Sequence, residues 1–245
     1  MNTNWTEKQT SELFDAYDDW VEDHFGYQPM IADLTNSCGK EINVLDYGCG
    51  GGKVSRRLKS AGIDHVTGVD IAPTMIDKAK AAGGDKLQYV HISGPMLPFS
   101  DGSFDAAISC FLFINIPERL ELSHVTSEVA RLLKPGGIYY VLDTNPRTTG
   151  IQYPTYRNGE YGVTYHDGED RPVYLNIPGQ QSLKLVDKSW DVQTYHQTFS
   201  QAGLTLIEEK ELKYVNNFDN PDRQNFNELQ DTKPFIMFKT VKASC

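Results

Sequence analysis

The stretch Val44-Leu-Asp-Tyr-Gly-Cys-Gly-Gly-Gly52 decides the fold of this chain. Residues 42–46 read as a short strand, and glycines 48, 50 and 52 follow it directly. Glycine in that place lets the backbone turn tightly, approach a ligand closely and expose N–H groups ahead of a helix, here expected over residues 54–61. Such a turn serves dinucleotides and other nucleoside ligands alike. The spacing separates them, because a dinucleotide fingerprint reads Gly-x-Gly-x-x-Gly. Here the sixth position is Lys53, and what stands is Asp-x-Gly-x-Gly-x-Gly. The Asp46 carboxylate just before the turn would repel a pyrophosphate but suits a ligand bearing an ammonium group. A second acid, Asp70, closes the next strand, where an Asp hydrogen-bonds ribose hydroxyls. The other reading of Asp70 is a helix N-cap, and one Asp can do both.

Outward from this stretch the pattern alternates. Strands are expected over 65–70, 86–91, 104–109 and 138–143, with helices opening near Pro73 and running over 118–133 to a stop signal at Lys134-Pro-Gly-Gly137. This cadence means βαβ units and a parallel sheet covered on both faces. Upstream, Leu13, Phe14, Tyr17, Trp20, Val21 and Phe25 lie at helical spacing, so a helix is expected over 11–25. Gly26 and Pro29 should break it, leaving a short helical run at 30–34 and a loop at 36–39. After Asn145-Pro146 the cadence stops. Residues 147–190 hold five tyrosines and short alternating runs, and read as an inserted β-rich lid. A helix over 192–202, strands over 204–215 and 235–241, and a polar loop at 216–233 complete the chain. The expected division is a helical cover over 1–37, a core over 38–146, the lid over 147–190 and the rest of the core sheet over 191–245.

The charge narrows the functions. Lys+Arg is 23 against 33 Asp+Glu, a formal net charge of −10 over 245 residues. That lacks the basic footprint of a phosphate-backbone binder. Cysteines at 38, 49, 110 and 245 form no CxxC pair, which favours a reducing compartment over a disulfide framework. The first residues resemble no signal peptide. The apolar stretch 106–116 is too short to cross a bilayer. The expectation is a soluble cytoplasmic protein with no nucleic-acid or membrane partner.

Residues 42–143 resemble the core of a class I S-adenosylmethionine-dependent methyltransferase. The segments Leu97-Pro-Phe-Ser-Asp-Gly-Ser-Phe-Asp105, Glu128-Val-Ala-Arg-Leu-Leu-Lys-Pro-Gly-Gly137 and Tyr195-His-Gln-Thr-Phe-Ser-Gln-Ala-Gly-Leu204 resemble its small-molecule, methyltransferase type 11-like group. The resemblance implies a Rossmann-like, doubly wound α/β sheet of seven strands, mostly parallel with the last antiparallel. It implies S-adenosylmethionine as cofactor, S-adenosylhomocysteine as product, and no metal. Gly48, Cys49 and Gly50 would pass beneath the methionine part, with Asp46 facing its ammonium. Asp70 would bind the ribose, and Ile71 and Met75 would flank the adenine. Ser93, Gly94 and Pro95 would lie along the adenine edge, Ser93 standing where many relatives have Asp. Cys110 and Phe111 would approach the sulfonium. Tyr17 resembles a tyrosine that closes over the cofactor, though ordinary core packing explains it equally.

The acceptor side is less marked. His24, His166 and Asp143 are candidates for base or acceptor contact, each with a plain alternative as helix-end residue, solvated histidine and loop cap. The other histidines read as structural, and none shows metal-ligand spacing. Trp20, Phe113, Asn115, Tyr153 and Tyr165 are expected to form a pocket for a flat, uncharged or aromatic small molecule. The expected function is methyl transfer to N or O of a small planar metabolite, in natural-product biosynthesis, by a monomer or homodimer. A carbon acceptor and a non-catalytic cofactor-binding regulatory module are the alternatives.

Overall fold

The computed structural model describes Phe14 and residues 17–94, 96–179, 182–215 and 227–244. Pro95, the first part of the expected N-terminal helix and most of the 216–233 loop lie outside them. Helix α1 is α-helical over Trp20–Glu22, π-helical over Asp23–Tyr27 and α-helical again over Gln28–Cys38. There follow β1 (Asn43–Tyr47), α2 (Lys53–Ser60), β2 (His65–Asp70), α3 (Pro73–Ala82), β3 (Leu87–His91) and β4 (Phe104–Cys110). A 3-10 turn (Phe113–Asn115), α4 (Arg119–Leu132) and β5 (Leu133–Thr144) come next. Then come β6 (Tyr156–Asn158), β7 (Glu169–Leu175), β8 (Leu183–Ser189), α5 (Val192–Gln201), β9 (Leu204–Leu212) and β10 (Phe235–Lys242).

Seven strands form one sheet in the order β3-β2-β1-β4-β5-β10-β9. β1 to β5 run parallel, and β10 inserts antiparallel between β5 and β9. This is the doubly wound sheet expected. Side chains alternate across it with period two. Val44, Ile108, Leu142 and Met237 pack with α1 on one face, and Leu45, Ala107, Val141 and Phe238 pack with α4 and α5 on the other. The chain leaves β1 toward β2 on one side and returns through β4 on the other. That reversal opens a crevice at the carboxyl ends of β1 and β4.

Several local readings are corrected. Gly26 and Pro29 do not break α1. The π-helical turn shifts the bonding just ahead of Pro29, which then sits in the first turn of the renewed α-helix, where its missing N–H costs nothing. Gly26 serves close packing instead, since a Cβ there would lie 3.1 Å from Leu142 Cδ2 and 3.3 Å from Phe235 Cδ2. The expected loop at 36–39 is helical through Cys38. Before α1, residues 18 and 19 are not helical. Asp19 and Asp23 bind Arg57 of α2 at 3.1 and 2.5 Å, which ties the start of α1 to α2. The Lys134-Pro-Gly-Gly137 run is also not a simple turn. β5 starts at Leu133, opposite Phe104, and Ile138 pairs with Ala106, so the run is taken up as an irregular stretch of the strand.

β6, β7 and β8 form a separate antiparallel sheet. Its inward positions follow the strand period: Val173 faces Leu185 in the register and Leu175 faces Leu183, all joined to the α1 side of the core.

Candidate active site

The glycine turn is held to the end of β2, where Gly48 and Cys49 donate their N–H groups to the Val69 carbonyl at 2.8 and 3.0 Å. Gly48 has φ +82°, and a Cβ on it would run to 2.8 Å from Leu112 Cδ1. Gly50 has φ +50°, and a Cβ there would meet nothing within 4 Å. The turn therefore presents bare backbone to an open space. Asp70 Oδ2 accepts from Gly50 N at 2.9 Å and Oδ1 from Ala72 N at 2.8 Å. A carboxylate offers about four acceptor sites, so these two bonds do not exhaust it. Asp46 accepts from Ser55 Oγ at 2.5 Å. Burial pushes its carboxyl up to about 7, and neighbouring Asp70 adds to that. Such an acid gains from a cation brought beside it.

These residues line one cavity of about 730 Å³ that also takes in Ile71, Met75, Ser93 and Gly94. Ile71 is 71% exposed, an apolar side chain standing uncovered at the edge of a pocket. At the end of β4 the wall is strained. Phe111 holds φ +52°, a left-handed conformation that a bulky side chain rarely takes. Two bonds over-determine it: Phe111 N donates to the Leu142 carbonyl and Asn115 Nδ2 donates to the Phe111 carbonyl, each at 2.7 Å. Tyr27 and Phe235 stand edge-on to its ring. Beside it, the Cys110 sulfur lies 3.8 Å from Met30 Sδ, and burial raises its thiol.

The far part of the cavity is built from α1 and the β6–β8 sheet. Tyr17 O–H donates to Glu22 Oε1 at 2.5 Å, and Thr155 Oγ1 lies 3.1 Å from the same hydroxyl. Glu22 is 7% exposed, and its other oxygen has no hydrogen-bond partner among the described residues. Burial pushes this carboxyl up to about 8. Tyr156 stacks on Phe235 at 5.8 Å between centroids, and its buried hydroxyl is likewise unpartnered among the described residues. Val173, Leu175 and Leu185 give an apolar surface, and Asp187 stands on the same strand face. Burial pushes Asp187 up to about 7 against the pull of Arg171, the residue opposite it in the register.

Of the expected site residues, Tyr17, Asp46, Gly48, Cys49, Gly50 and Asp70 are brought to this cavity, as are Ile71, Met75, Ser93, Gly94, Cys110, Phe111 and Asn115. Pro95 lies outside the described residues. The remaining expected residues stand off the cavity wall. His24 turns its Nδ1 to the Trp20 carbonyl at 3.0 Å, and the Trp20 indole lies tilted against the His24 ring, 4.7 Å between centroids. His166 is exposed beside Glu169. Asp143, on β5 within the sheet, is fully buried, accepting from Tyr195 O–H at 3.0 Å, and burial raises it well above the carboxylate range. Phe113 stacks on Tyr195 on the α5 face, because the 3-10 turn sends it away from Asn115. Tyr153 packs against Tyr156 and Tyr214, and Tyr165 donates nothing to the cavity, accepting instead from Glu160 N at 3.0 Å. Lining groups outside the expected set include Glu22, Glu121, His124 and Asp187, while Tyr156 is one of the tyrosines expected in the lid. Two of them carry a faint signal: Glu22 is an acid beside Val21 at the apolar spacing, and Asp187 is an acid at an inward position of an alternating strand. Among the described residues, no group of three or more His, Cys, Asp or Glu is placed to hold a metal ion. No helix among them is long and apolar enough to cross a membrane.

Comparison with known proteins gives this geometry a context. A family model described as a methyltransferase domain matches residues 45–141. N-demethylindolmycin N-methyltransferase of Streptomyces griseus is 30% identical over 211 residues, covering 83% of this chain and 88% of that enzyme. Demethylmenaquinone methyltransferase of Staphylococcus aureus is 30% identical over 169 residues, 62% of this chain and 68% of that enzyme. The crystal structure of an S-adenosylmethionine-dependent methyltransferase from Clostridium acetobutylicum superposes with a TM-score of 0.65 at 13% identity, covering 97% of this chain and 100% of that one. The cavity fits the cofactor of such enzymes: the open cradle at Gly50, two carboxyls for a ligand with ammonium and ribose groups, and an uncovered apolar rim at Ile71. The chain belongs to the class I S-adenosylmethionine-dependent methyltransferases of the small-molecule type.

Proposed function

We propose that this enzyme methylates N or O of a small planar metabolite in natural-product biosynthesis. The observation that carries the reading is the continuity of one cavity, from the glycine turn to the apolar face of β7 and β8. At about 730 Å³ it lies in the range of small-molecule sites, so an acceptor must fit inside with the cofactor. The relative from Streptomyces griseus, an N-methyltransferase by its name, supports a nitrogen acceptor, and the −10 charge counts against nucleic acid.

In this reading Gly48, Cys49 and Gly50 carry the methionine part and Asp46 its ammonium. Asp70 holds the ribose, while Ile71, Met75, Ser93 and Gly94 surround the adenine. Cys110 and Phe111 flank the sulfonium, and Tyr17 closes over it. S-adenosylmethionine, when bound, supplies an electrophilic methyl carbon. The chain's own contribution is alignment and the exclusion of water. Tyr156, Asn115 and the apolar side chains of β7 and β8 position the acceptor's flat face. None of His24, His166 and Asp143 lines this cavity, whereas His124, Glu22, Glu121 and Asp187 do.

The test is incubation with methyl-labelled cofactor and a metabolite extract, followed by mass spectrometry of the labelled product. A labelled small aromatic or heteroaromatic compound is expected. Label on RNA or protein ahead of small molecules would overturn the reading.

A further inference from the structure

The acceptor part of the cavity is acidic, and its acids are unevenly satisfied. Glu22 and Asp187 line it, and Asp19, Asp46, Asp70 and Glu121 line the cavity too, Asp19 being paired with Arg57 and Lys53. Lys53 is the one lysine or arginine among the lining residues. An anionic acceptor would meet repulsion on entry, whereas a cation would be drawn in. Asp187 faces a guanidinium across the β7–β8 pair, and Asp46 and Asp70 are tied to Ser55 and to the backbone. Glu22 differs. One oxygen takes the Tyr17 O–H, and the other, enclosed, takes nothing among the described residues. A buried carboxyl oxygen without a donor is costly unless a ligand brings one.

Resting on the methyltransferase reading above, we propose that the acceptor is a flat base whose nitrogen arrives protonated, and that Glu22, positioned by Tyr17 and Thr155, takes that proton. The N–H proton passes to Glu22 Oε2, turning carboxylate into carboxylic acid and freeing the nitrogen lone pair. That pair forms the new N–C bond as the methyl donor's C–S bond breaks, whose electrons stay on sulfur. The proton then leaves Glu22 for solvent.

The surroundings of Glu22 suit this task. Burial raises its affinity for a proton into the range of weak nitrogen bases, Asp19 adds to the rise, and Lys53 of α2 opposes it. Tyr17 before α1, Tyr27 within α1 and Tyr156 of β6 are the other titratable groups that interact with it, and burial holds all three phenols protonated. A proton acceptor matched to the pKa of its donor transfers with the least penalty.

The experiment uses two flat probes on protein saturated with S-adenosylhomocysteine: 2-aminobenzimidazole, a base, and 2-naphthol, a neutral O–H compound. Calorimetry should show the base binding at least tenfold tighter. Glu22→Gln should abolish that preference, while leaving S-adenosylhomocysteine affinity within twofold, and Tyr17→Phe should reduce it less. With the acceptor found in the labelled extract, kcat/KM should climb with pH toward a plateau. Glu22→Gln should lower kcat at least a hundredfold and remove the climb. Equal or tighter binding of 2-naphthol, or a preference that survives Glu22→Gln, would overturn the proposal. A labelled methyl ether from the extract overturns it too and leaves the methyltransferase reading intact, whereas label on no small molecule overturns both.

Discussion

The two parts of the cavity are built in different ways. The cofactor part is mostly backbone: Gly48, Cys49 and Gly50 turn against Val69, and Asp70 ties Gly50 to Ala72. Its pieces are short runs at the ends of adjacent parallel strands, and their geometry follows from the sheet. The acceptor part is mostly side chains from distant places. The contact between Tyr17 and Thr155 spans 138 residues, and Arg171 of β7 reaches Thr144 of β5 at 2.8 Å. A backbone cradle tolerates change least at its glycines and at the acid that bonds the turn, Asp70. A side-chain chamber can be refitted to a new acceptor one residue at a time, at a cost to its buried charges.

That contrast is broken most severely at Arg171. It is fully enclosed between Asp143 and Asp187, and its Nε and Nη1 have no hydrogen-bond partner among the described residues. Arg171→Met removes the only cation in this group and leaves two buried acids uncompensated. Urea unfolding should show a loss of about 3 kcal/mol, with cofactor-product affinity little changed. A stable variant would mean that both acids are already protonated in the fold. The corresponding break on the other side is Gly50→Leu. A Cβ there meets nothing within 4 Å, although φ +50° strains any side chain, and the rest of the leucine fills the space before the cradle. S-adenosylhomocysteine affinity should fall about a hundredfold, or ~2.7 kcal/mol. Calorimetry checks this, and unaltered binding would place the ligand elsewhere.

The same contrast explains what could be read without coordinates. The sheet, its order of elements and the residues of the glycine turn were legible because period-two and helical patterns, with glycine after a strand, are local. The acceptor residues were not. Phe113 and Asn115 look equivalent if the chain after β4 is taken as extended, but the 3-10 turn sends one to the α5 face and the other to the cavity. Trp20 and His24 sit on the correct helix, but they pair with each other beside the cavity wall. Glu22 lay hidden because an acid in an aromatic helix reads as its polar face. Its burial depends on β6, which the chain reaches more than a hundred residues later. Gly26 and Pro29 misled for a related reason: their local meaning is a break, and tertiary packing overrode it.

Asp70 offers a finer cut, since it serves both the fold and the ligand. Asp70→Ala leaves the N–H groups of Gly50 and Ala72 without their acceptor. Cofactor-product affinity should drop by more than tenfold, about 1.4 kcal/mol, and Asp70→Asn, which keeps one acceptor oxygen, should lose less. If calorimetry gives the same affinity for all three proteins, the work of Asp70 ends at the turn and the ribose is held by another group.

The smallest effect is a slope, and it tests both parts of the cavity at once. Glu22, Asp46 and Asp187 all bind protons more tightly in the fold than in the unfolded chain, with values pushed by burial to about 8, 7 and 7. Between their unfolded and folded values the native state holds protons that the unfolded state has released. Stability of the ligand-free enzyme must therefore fall as pH rises from about 5 to 7. Asp33, Asp105, Glu128 and Glu211 are shifted down by their lysine, arginine and backbone partners. Their contribution changes at lower pH, around and below the ordinary carboxylate range, so it leaves this window to the raised acids. Each raised acid should tilt the curve by somewhat less than the limit of ~1.4 kcal/mol per pH unit. Asp46→Asn and Glu22→Gln should each flatten the urea-midpoint curve. For Asp46, S-adenosylhomocysteine should flatten it too, because the ammonium of the ligand draws the carboxyl back to its ionised form. Glu22 should keep its tilt when that product alone is bound, and lose it only when a basic acceptor analogue is added. A single ligand that flattens both contributions would show that the two parts of the cavity are electrostatically one site.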